Sequence, residues 1–235
     1  MKISIITVTK NRVELLRRAI GSVIDQTYND WEYIIVNDAS TDNTKQIIEG
    51  FDWAHERIKA IHYDKGSQGA LGVLRNLGIS HATGDLICFL DDDNYYNSNF
   101  LSRMNKYMEE NKEIDMIYCD SNFLLQKSDN TFVTQGCLRS MDYNSNTINH
   151  GNYIDIGEVC IRKKVFDKLK FDETLFSAGE DWEFFLQMRK NKLNIKHLKE
   201  VLTNYSVMEN RHSTGDVHFK VIQEIKNRVG DGQYD

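Results

Sequence analysis

Proline is absent from all 235 residues, so no turn can be fixed by a pyrrolidine ring, and Gly, Asn, Asp and Ser must shape the loops instead. The four cysteines, Cys88, Cys119, Cys137 and Cys160, form no Cys-x-x-Cys pair, which excludes the usual zinc spacing and a small disulfide scaffold. Cys88, Cys119 and Cys160 sit in apolar runs and read as buried reduced thiols, which implies a reducing compartment. No run approaches the ~18 apolar residues of a membrane span, and the apolar stretch after Met1 is too short for a signal core. A cytoplasmic location is therefore expected. Lys and Arg number 29 against 35 Asp and Glu, a net charge of −6. No basic block is long enough to track a phosphate backbone, so nucleic acid is not an expected partner. An anionic substrate would need a cation or a local set of donors to hold it against this field.

What is present is the composition of an ordinary globular domain. At this length folding buries roughly 70–75% of the surface the unfolded chain exposes. Up to about residue 97, short apolar runs alternate with amphipathic segments, which predicts a parallel sheet wrapped by helices. Strands are expected at Ile3–Val8, Tyr33–Val36, Ile58–Tyr63 and Leu86–Leu90. The first intervening helix is expected to be capped by Asn11 with Glu14 reaching back, the second by Ser40, and the third to run through Leu71, Leu74, Arg75 and Ile79. Beyond the fourth strand the pattern is more polar. It predicts strands at Asp115–Cys119, Asn122–Gln126 and Ile156–Ile161, a hairpin turn at Ser128–Asn130 leading into Thr131–Val133, and a helix over Ser177–Lys190. The aperiodic stretch Arg139–Asn152 reads as a loop over the site. Val217, Val221, Ile222, Ile225 and Val229 form one apolar stripe on a charged C-terminal helix. That stripe is expected to dock on the domain, with an oligomer contact or a peripheral membrane contact as alternatives. The whole is read as a single α/β domain, residues 1–235: a Rossmann-like half with a mostly parallel central sheet (1–97), a mixed half (98–215) and an amphipathic helix (216–235).

In such sheets ligands sit beyond the carboxyl ends of the strands. Thr7 and Thr9, Asp38, and the run Asp91-Asp92-Asp93 all fall there. Three adjacent carboxylates after five apolar residues repel one another unless water or a cation lies between them, and Mg²⁺ or Mn²⁺ suits hard oxygen ligands that share a site with phosphate. A solvated acidic turn is the plainer alternative. Ser177-Ala178-Gly179-Glu180-Asp181 opens the later helix. Glu180 has capping-box spacing to Ser177, which leaves Asp181 as the free carboxylate and Glu183 as a weaker one. A dinucleotide-dependent oxidoreductase would need Gly-x-Gly-x-x-Gly after the first strand, where this chain has Thr-Val-Thr-Lys-Asn-Arg. A nucleotidyltransferase would need a similar glycine-rich loop there.

Five segments, Ile5-Ile6-Thr7-Val8-Thr9-Lys10-Asn11-Arg12, Trp31 to Asp42, Arg75-Asn76-Leu77-Gly78-Ile79, Phe89-Leu90-Asp91-Asp92-Asp93-Asn94 and Gly179-Glu180-Asp181-Trp182, stand in the order found in family 2 glycosyltransferases. The resemblance implies an inverting enzyme of the A-type glycosyltransferase fold. It would move a sugar from a nucleotide-sugar donor, commonly a UDP-sugar, to an acceptor hydroxyl. By similarity, Asp38 would accept from the base, with Thr7, Thr9, Arg12 and Arg75 around the same nucleotide. Asp93 would hold a Mn or Mg ion, with Asp91 a second candidate, and Asp91 and Asp92 compete for the ribose. Asp181 would be the catalytic base, with Glu180 the weaker choice. Arg211-His212-Ser213 resembles a segment that closes over the diphosphate in some relatives, which makes His212 a further candidate. His62 and His150 are read as ordinary polar residues, and Trp182 as a packing residue or a sugar platform. A glycan or lipid-linked acceptor, surface polysaccharide assembly and a place at the inner face of the membrane follow from the resemblance alone. The alternative is a catalytically silent relative that binds nucleotide or glycan.

Overall fold

The β-branched run at the start of the chain forms β1 (Ile3–Thr9), flanked in parallel by β2 (Trp31–Asn37) and β4 (Leu86–Phe89), with β3 (Ile58–His62) outside β2. The computed structural model describes residues 1–127, 131–138, 141–176, 178–208 and 223–229. Between the strands run α1 (Val13–Ile24), α2 (Thr44–Ala54) and α3 (Leu71–His81). Side chains alternate along each strand, and the two faces have separate cores. Ile6, Ile34, Val36, Ile87 and Phe89 pack with Leu74 of α3 on one face, while Ile3, Ile5, Tyr33, Ile35 and Cys88 pack with Leu16, Ile20 and Val23 of α1 on the other. A Cβ on Gly78 would come within 2.6 Å of Ile6 Cγ2. Only glycine lets α3 lie this close to β1.

The second half extends the same sheet through β5 (Tyr95–Tyr96), α4 (Phe100–Glu110), β6 (Met116–Gln126), β7 (Phe132–Leu138), β8 (Val159–Arg162), α5 (Glu180–Lys190) and β9 (Ile195–Met208). The strand order is β3-β2-β1-β4-β8-β6-β9-β5, with β7 paired to β6. β8 runs antiparallel to both β4 and β6, whereas β6 and β9 are parallel. The fold is therefore the expected α/β arrangement, a parallel group continued by a mixed one.

Several local expectations change. The predicted strands at 115–119 and 122–126 are one strand, β6, with irregular register near Asp120 and Phe123. Ile156–Glu158 is a 3-10 turn closed by a capping box from Asp155 and Glu158, and only then does β8 begin. Asn11 does not cap α1. It adopts φ 54, and its Oδ1 accepts from Thr41 N at 2.7 Å and Asp42 N at 3.3 Å. Ser40 does not cap α2, because its hydroxyl accepts from Asn11 N at 2.9 Å. The two residues tie the loops after β1 and β2 to each other instead; α1 starts without a side-chain cap bond, and at the start of α2 Asp42 Oδ1 accepts from Thr44 N at 2.9 Å.

The helix expected from Ser177 begins at Glu180, after Gly179 in a left-handed conformation at φ 85. Ser177 itself, the turn at 128–130, and Val217, Val221 and Ile222 lie outside the described residues. α4 and β9 lie outside the sequence expectations. α4 hides its stripe of Phe100, Leu101, Met104 and Met108 in a polar segment, and β9 interleaves buried Ile195, Leu198 and Leu202 with Lys196, Lys199 and Glu200. The described part of the C-terminal stripe docks on the domain: in a helix over 223–229, Ile225 is fully buried, and on the same helix Arg228 pairs with Asp172 at 2.8 Å. No described helix is long and apolar enough to cross a membrane. Cys88, Cys119 and Cys160 are buried free thiols, and Cys137 is exposed.

At the opposite end of the sheet from the acidic run, Glu32 accepts from Lys2 Nζ at 2.8 Å, Ser4 Oγ at 2.6 Å and the Thr83 backbone and hydroxyl at 2.5 and 2.8 Å. Burial alone would raise its carboxyl, but these donors outweigh burial and bring it down to about 2. The unfolded carboxyl titrates near 4.5, so the stabilisation is present above that pH and disappears as pH falls towards 2. Glu32→Gln is expected to lower stability at pH 7, with the gap to the parent closing in urea melts below pH 4.5.

Candidate functional site

The carboxyl ends of β1, β2 and β4 and the start of α5 open on one cleft of about 840 Å³. Thr9, Arg12, Asp38, Arg75, Asp91, Asp92, Asp93, Glu180 and Asp181 all line it. Thr7 does not. It is fully buried, donates to Leu90 O at 2.6 Å and shares a 2.7 Å hydrogen bond with Tyr33 Oη. The expectation that Thr7 faces a nucleotide is corrected: it sits one strand alternation too deep, and Thr9 at the strand end is the threonine that reaches the cleft.

The three acids after β4 have different surroundings. Asp92 is buried, accepting from Thr9 Oγ1 at 2.7 Å and Arg12 Nη1 at 3.0 Å. Burial raises its carboxyl to about 6, against the pull of Arg12 and Thr9. Asp93 accepts from the same Arg12 nitrogen at 2.8 Å. Asp91 accepts from Arg75 Nη2 at 3.2 Å, and burial raises it above the usual carboxylate range in spite of that arginine. Arg12 is thus an ion-pair partner of the acidic turn rather than a solvated helix residue.

Arg75 is buried on α3 and carries the link across the cleft. One end of its guanidinium donates to Asp91, and the other forms a buried ion pair with Glu180 at the start of α5. Glu180 is therefore committed to Arg75 and not to closing its own helix. Next to it, Asp181 accepts from Trp182 N at 2.7 Å through Oδ1 and from Asn152 Nδ2 at 2.9 Å through Oδ2. Burial first, and Glu180 second, raise its carboxyl to about 7, with Arg75 opposing. Trp182 is buried, and its indole donates to Ile148 O at 2.6 Å, pinning the loop before β8 to α5. Asp38 is held by Ser67 N at 2.5 Å, Ser67 Oγ at 2.8 Å and Lys10 Nζ at 3.3 Å.

Lys10, Ser67, Asn94, His150, Asn152, Asp155 and Lys226 also line the cleft, and none was singled out for the site from sequence. Asp155 carried a signal, since Asp-x-x-Glu ahead of an apolar run is a capping-box pattern. Burial, with Asp91 and Glu158 adding to it, raises its carboxyl well above the usual range. His62 lies elsewhere, 3.4 Å from Glu49. His212 lies outside the described residues, as do Arg211 and Ser213.

Among the described residues no group of three or more His, Cys, Asp or Glu side chains is arranged to hold a metal ion. The acids nevertheless suit Mg²⁺ or Mn²⁺, which are commonly bound by one or two carboxylates with the remaining positions filled by water and phosphate. Arg75 takes one oxygen of Asp91 and Arg12 one oxygen of Asp93. Each carboxylate keeps a second oxygen with no hydrogen bond from the described residues.

The chain is 33% identical over 108 residues to the putative teichuronic acid biosynthesis glycosyltransferase TuaG of Bacillus subtilis, covering 46% of this chain and 42% of TuaG. It is 29% identical over 229 residues to the uncharacterized glycosyltransferase EpsJ of Bacillus subtilis, covering 93% of this chain and 64% of EpsJ. The chain thus spans 42% of TuaG's length and 64% of EpsJ's. The crystal structure of S. aureus TarS 1-349 in complex with UDP-GlcNAc superposes with a TM-score of 0.71 at 21% identity, covering 96% of this chain and 65% of that one, and shares its fold. Residues 4–170 match the family described as glycosyl transferase family 2; with the match covering well over half of the sequence, the chain belongs to that family.

Proposed function

We propose that the chain catalyses metal-dependent, inverting transfer of a sugar from a nucleotide-sugar donor, a UDP-sugar first among them, to an acceptor hydroxyl. One observation carries this reading: Asp93, from the end of β4, and Asp181, from the start of α5, line the same cleft. On this reading residues 1–97 hold the donor and 98–215 receive the acceptor. Asp38, with both oxygens already oriented by Ser67 and Lys10, is the acceptor for a donor N–H of the base. Asp92, fixed by Thr9 and Arg12, is the more rigid of the two acids considered for the ribose. Asp93, with Asp91 beside it, would hold Mn²⁺ or Mg²⁺. When bound, the ion offsets negative charge on the departing diphosphate.

Asp181 takes the proton of the acceptor hydroxyl as that oxygen attacks the anomeric carbon from the face opposite the diphosphate, which inverts the centre. A carboxyl raised to about 7 is well matched to this work near neutral pH. The likeness to TuaG, named for teichuronic acid biosynthesis, supports a glycan or lipid-linked acceptor in surface polysaccharide assembly.

The test is nucleotide release from a panel of UDP-, GDP- and dTDP-sugars with Mn²⁺, with and without chelator. Silence across the panel rejects the reading. Asp93→Ala is expected to abolish the Mn²⁺-dependent part of UDP binding in calorimetry, and unchanged Mn²⁺-dependent affinity would move the metal to other residues.

A further inference from the structure

Asp181 is held from two directions. Its Oδ1 accepts from its own helix, at Trp182 N, and its Oδ2 from Asn152, on the loop before β8. Asn152 is itself oriented: its Oδ1 accepts from Ile154 N at 3.2 Å. An amide can be built either way round, but that backbone donor requires the oxygen on its side and so turns the NH₂ towards Asp181. The loop is anchored to the same helix turn by the Trp182 indole on Ile148 O at 2.6 Å. The amide therefore approaches the carboxylate from a fixed base and not from a free chain.

We infer that Asn152 is a positioning residue for Asp181: it fixes the carboxylate's rotation in the cleft and stabilises its ionised form. The inference rests on the reading of Asp181 as the base, and it adds a residue that the family motifs in this sequence do not include. An amide N–H can donate to a carboxylate but gains little from a carboxylic acid's hydroxyl oxygen, so the bond favours the charged state in which Asp181 can accept a proton. Among the described residues, the charged groups that act on Asp181 include Glu180 on its own helix, Arg75 on α3, Asp91 after β4 and Asp155 before β8. Substituting Asn152 leaves all four in place. The change in proton affinity is thus attributable to the amide.

In the full chain, Asn152→Ala is expected to raise the proton affinity of Asp181 by roughly 10-fold, and Asn152→Asp, which adds a facing carboxylate, by more. Two readouts apply. In the kcat–pH profile with a UDP-sugar and Mn²⁺, the acid limb should move to higher pH in both variants. Turnover at neutral pH should fall about 5-fold in Asn152→Ala, recover as pH rises, and leave UDP affinity within about 2-fold of the parent. In carbon-13 NMR titration, the Asp181 carboxyl should shift in the same direction without substrate. A stationary acid limb together with a stationary carboxyl titration overturns the inference, as does a loss of UDP affinity that parallels the loss of turnover. If the carboxyl shifts in NMR but the parent releases no nucleotide from any donor, the coupling stands and the transferase reading is what fails.

Discussion

Asp181→Asn is expected to lower kcat by on the order of 10²-fold or more while donor affinity stays within about 2-fold. The amide is nearly isosteric and can still meet the Trp182 N–H through its oxygen, so helix geometry is preserved. What disappears is a cleft-lining carboxylate that accepts from neutral donors, Trp182 N and Asn152 Nδ2, whereas its neighbour Glu180 is paired with Arg75. The pH dependence has a defined sign. The base works when ionised, so parent turnover should fall as pH drops below about 7, and the residual activity of Asp181→Asn should lose that limb. Single-turnover rates across pH 5–9 (roughly two units either side of the group's titration) would test both parts. Normal turnover in the variant would shift the proton acceptor to Asp155 or Glu183.

Arg75→Ala should have the largest effect on stability. The guanidinium is only 5% exposed and bridges Asp91 to Glu180, whose side chain is 6% exposed. Its removal leaves two carboxylates facing each other with no cation between them, and breaking a buried pair from one side typically costs about 3–5 kcal/mol. Against a total stability of about 5–15 kcal/mol for a domain, such a loss should be plain in a urea or thermal melt. The companion variant Arg75→Ala with Glu180→Gln removes the stranded charge and should recover part of the loss. If the single variant melts with the parent, the pair is not the buried strut described above. Because Arg75 also touches Asp91, its removal should impair metal-supported nucleotide binding even where the fold survives.

The parallel half was legible because its signals are local. β-branched runs such as Ile3–Val8 and helical stripes such as Leu16, Ala19, Ile20 and Val23 report burial directly. Asp38 and Asp91–Asp93 were legible because strand ends in such sheets meet at one edge; Asp181, at a helix start, was marked by the capping spacing of its neighbour and by the family resemblance, and all of them line the cleft. What was not legible depends on partners distant in sequence. Glu180 had local capping spacing but bonds Arg75, 105 residues away. Asn11 and Ser40 looked like helix caps but were claimed by each other's loop. Thr7 shares a face of β1 with Thr9 but lies two residues further from the strand end, where its hydroxyl donates to Leu90 O instead. Asn152 sits in an aperiodic polar stretch where no spacing marks one amide above its neighbours. β9 escaped notice because its charged residues break the apolar run, although its pairing with β6 runs from Ile195 to Met208.

β8 has a mechanical consequence. Because it is hydrogen-bonded to β4 on one side and β6 on the other, the backbone ladder is continuous from the parallel strands of the first half to the mixed strands of the second. Enzymes that close by swinging two lobes need a seam where few bonds cross; here a hinge between the halves would have to tear the ladder. The acids that follow β4 are thus carried by one continuous backbone ladder, and the 141–155 stretch above that edge is itself tied to α5 through Ile148 O and Asn152.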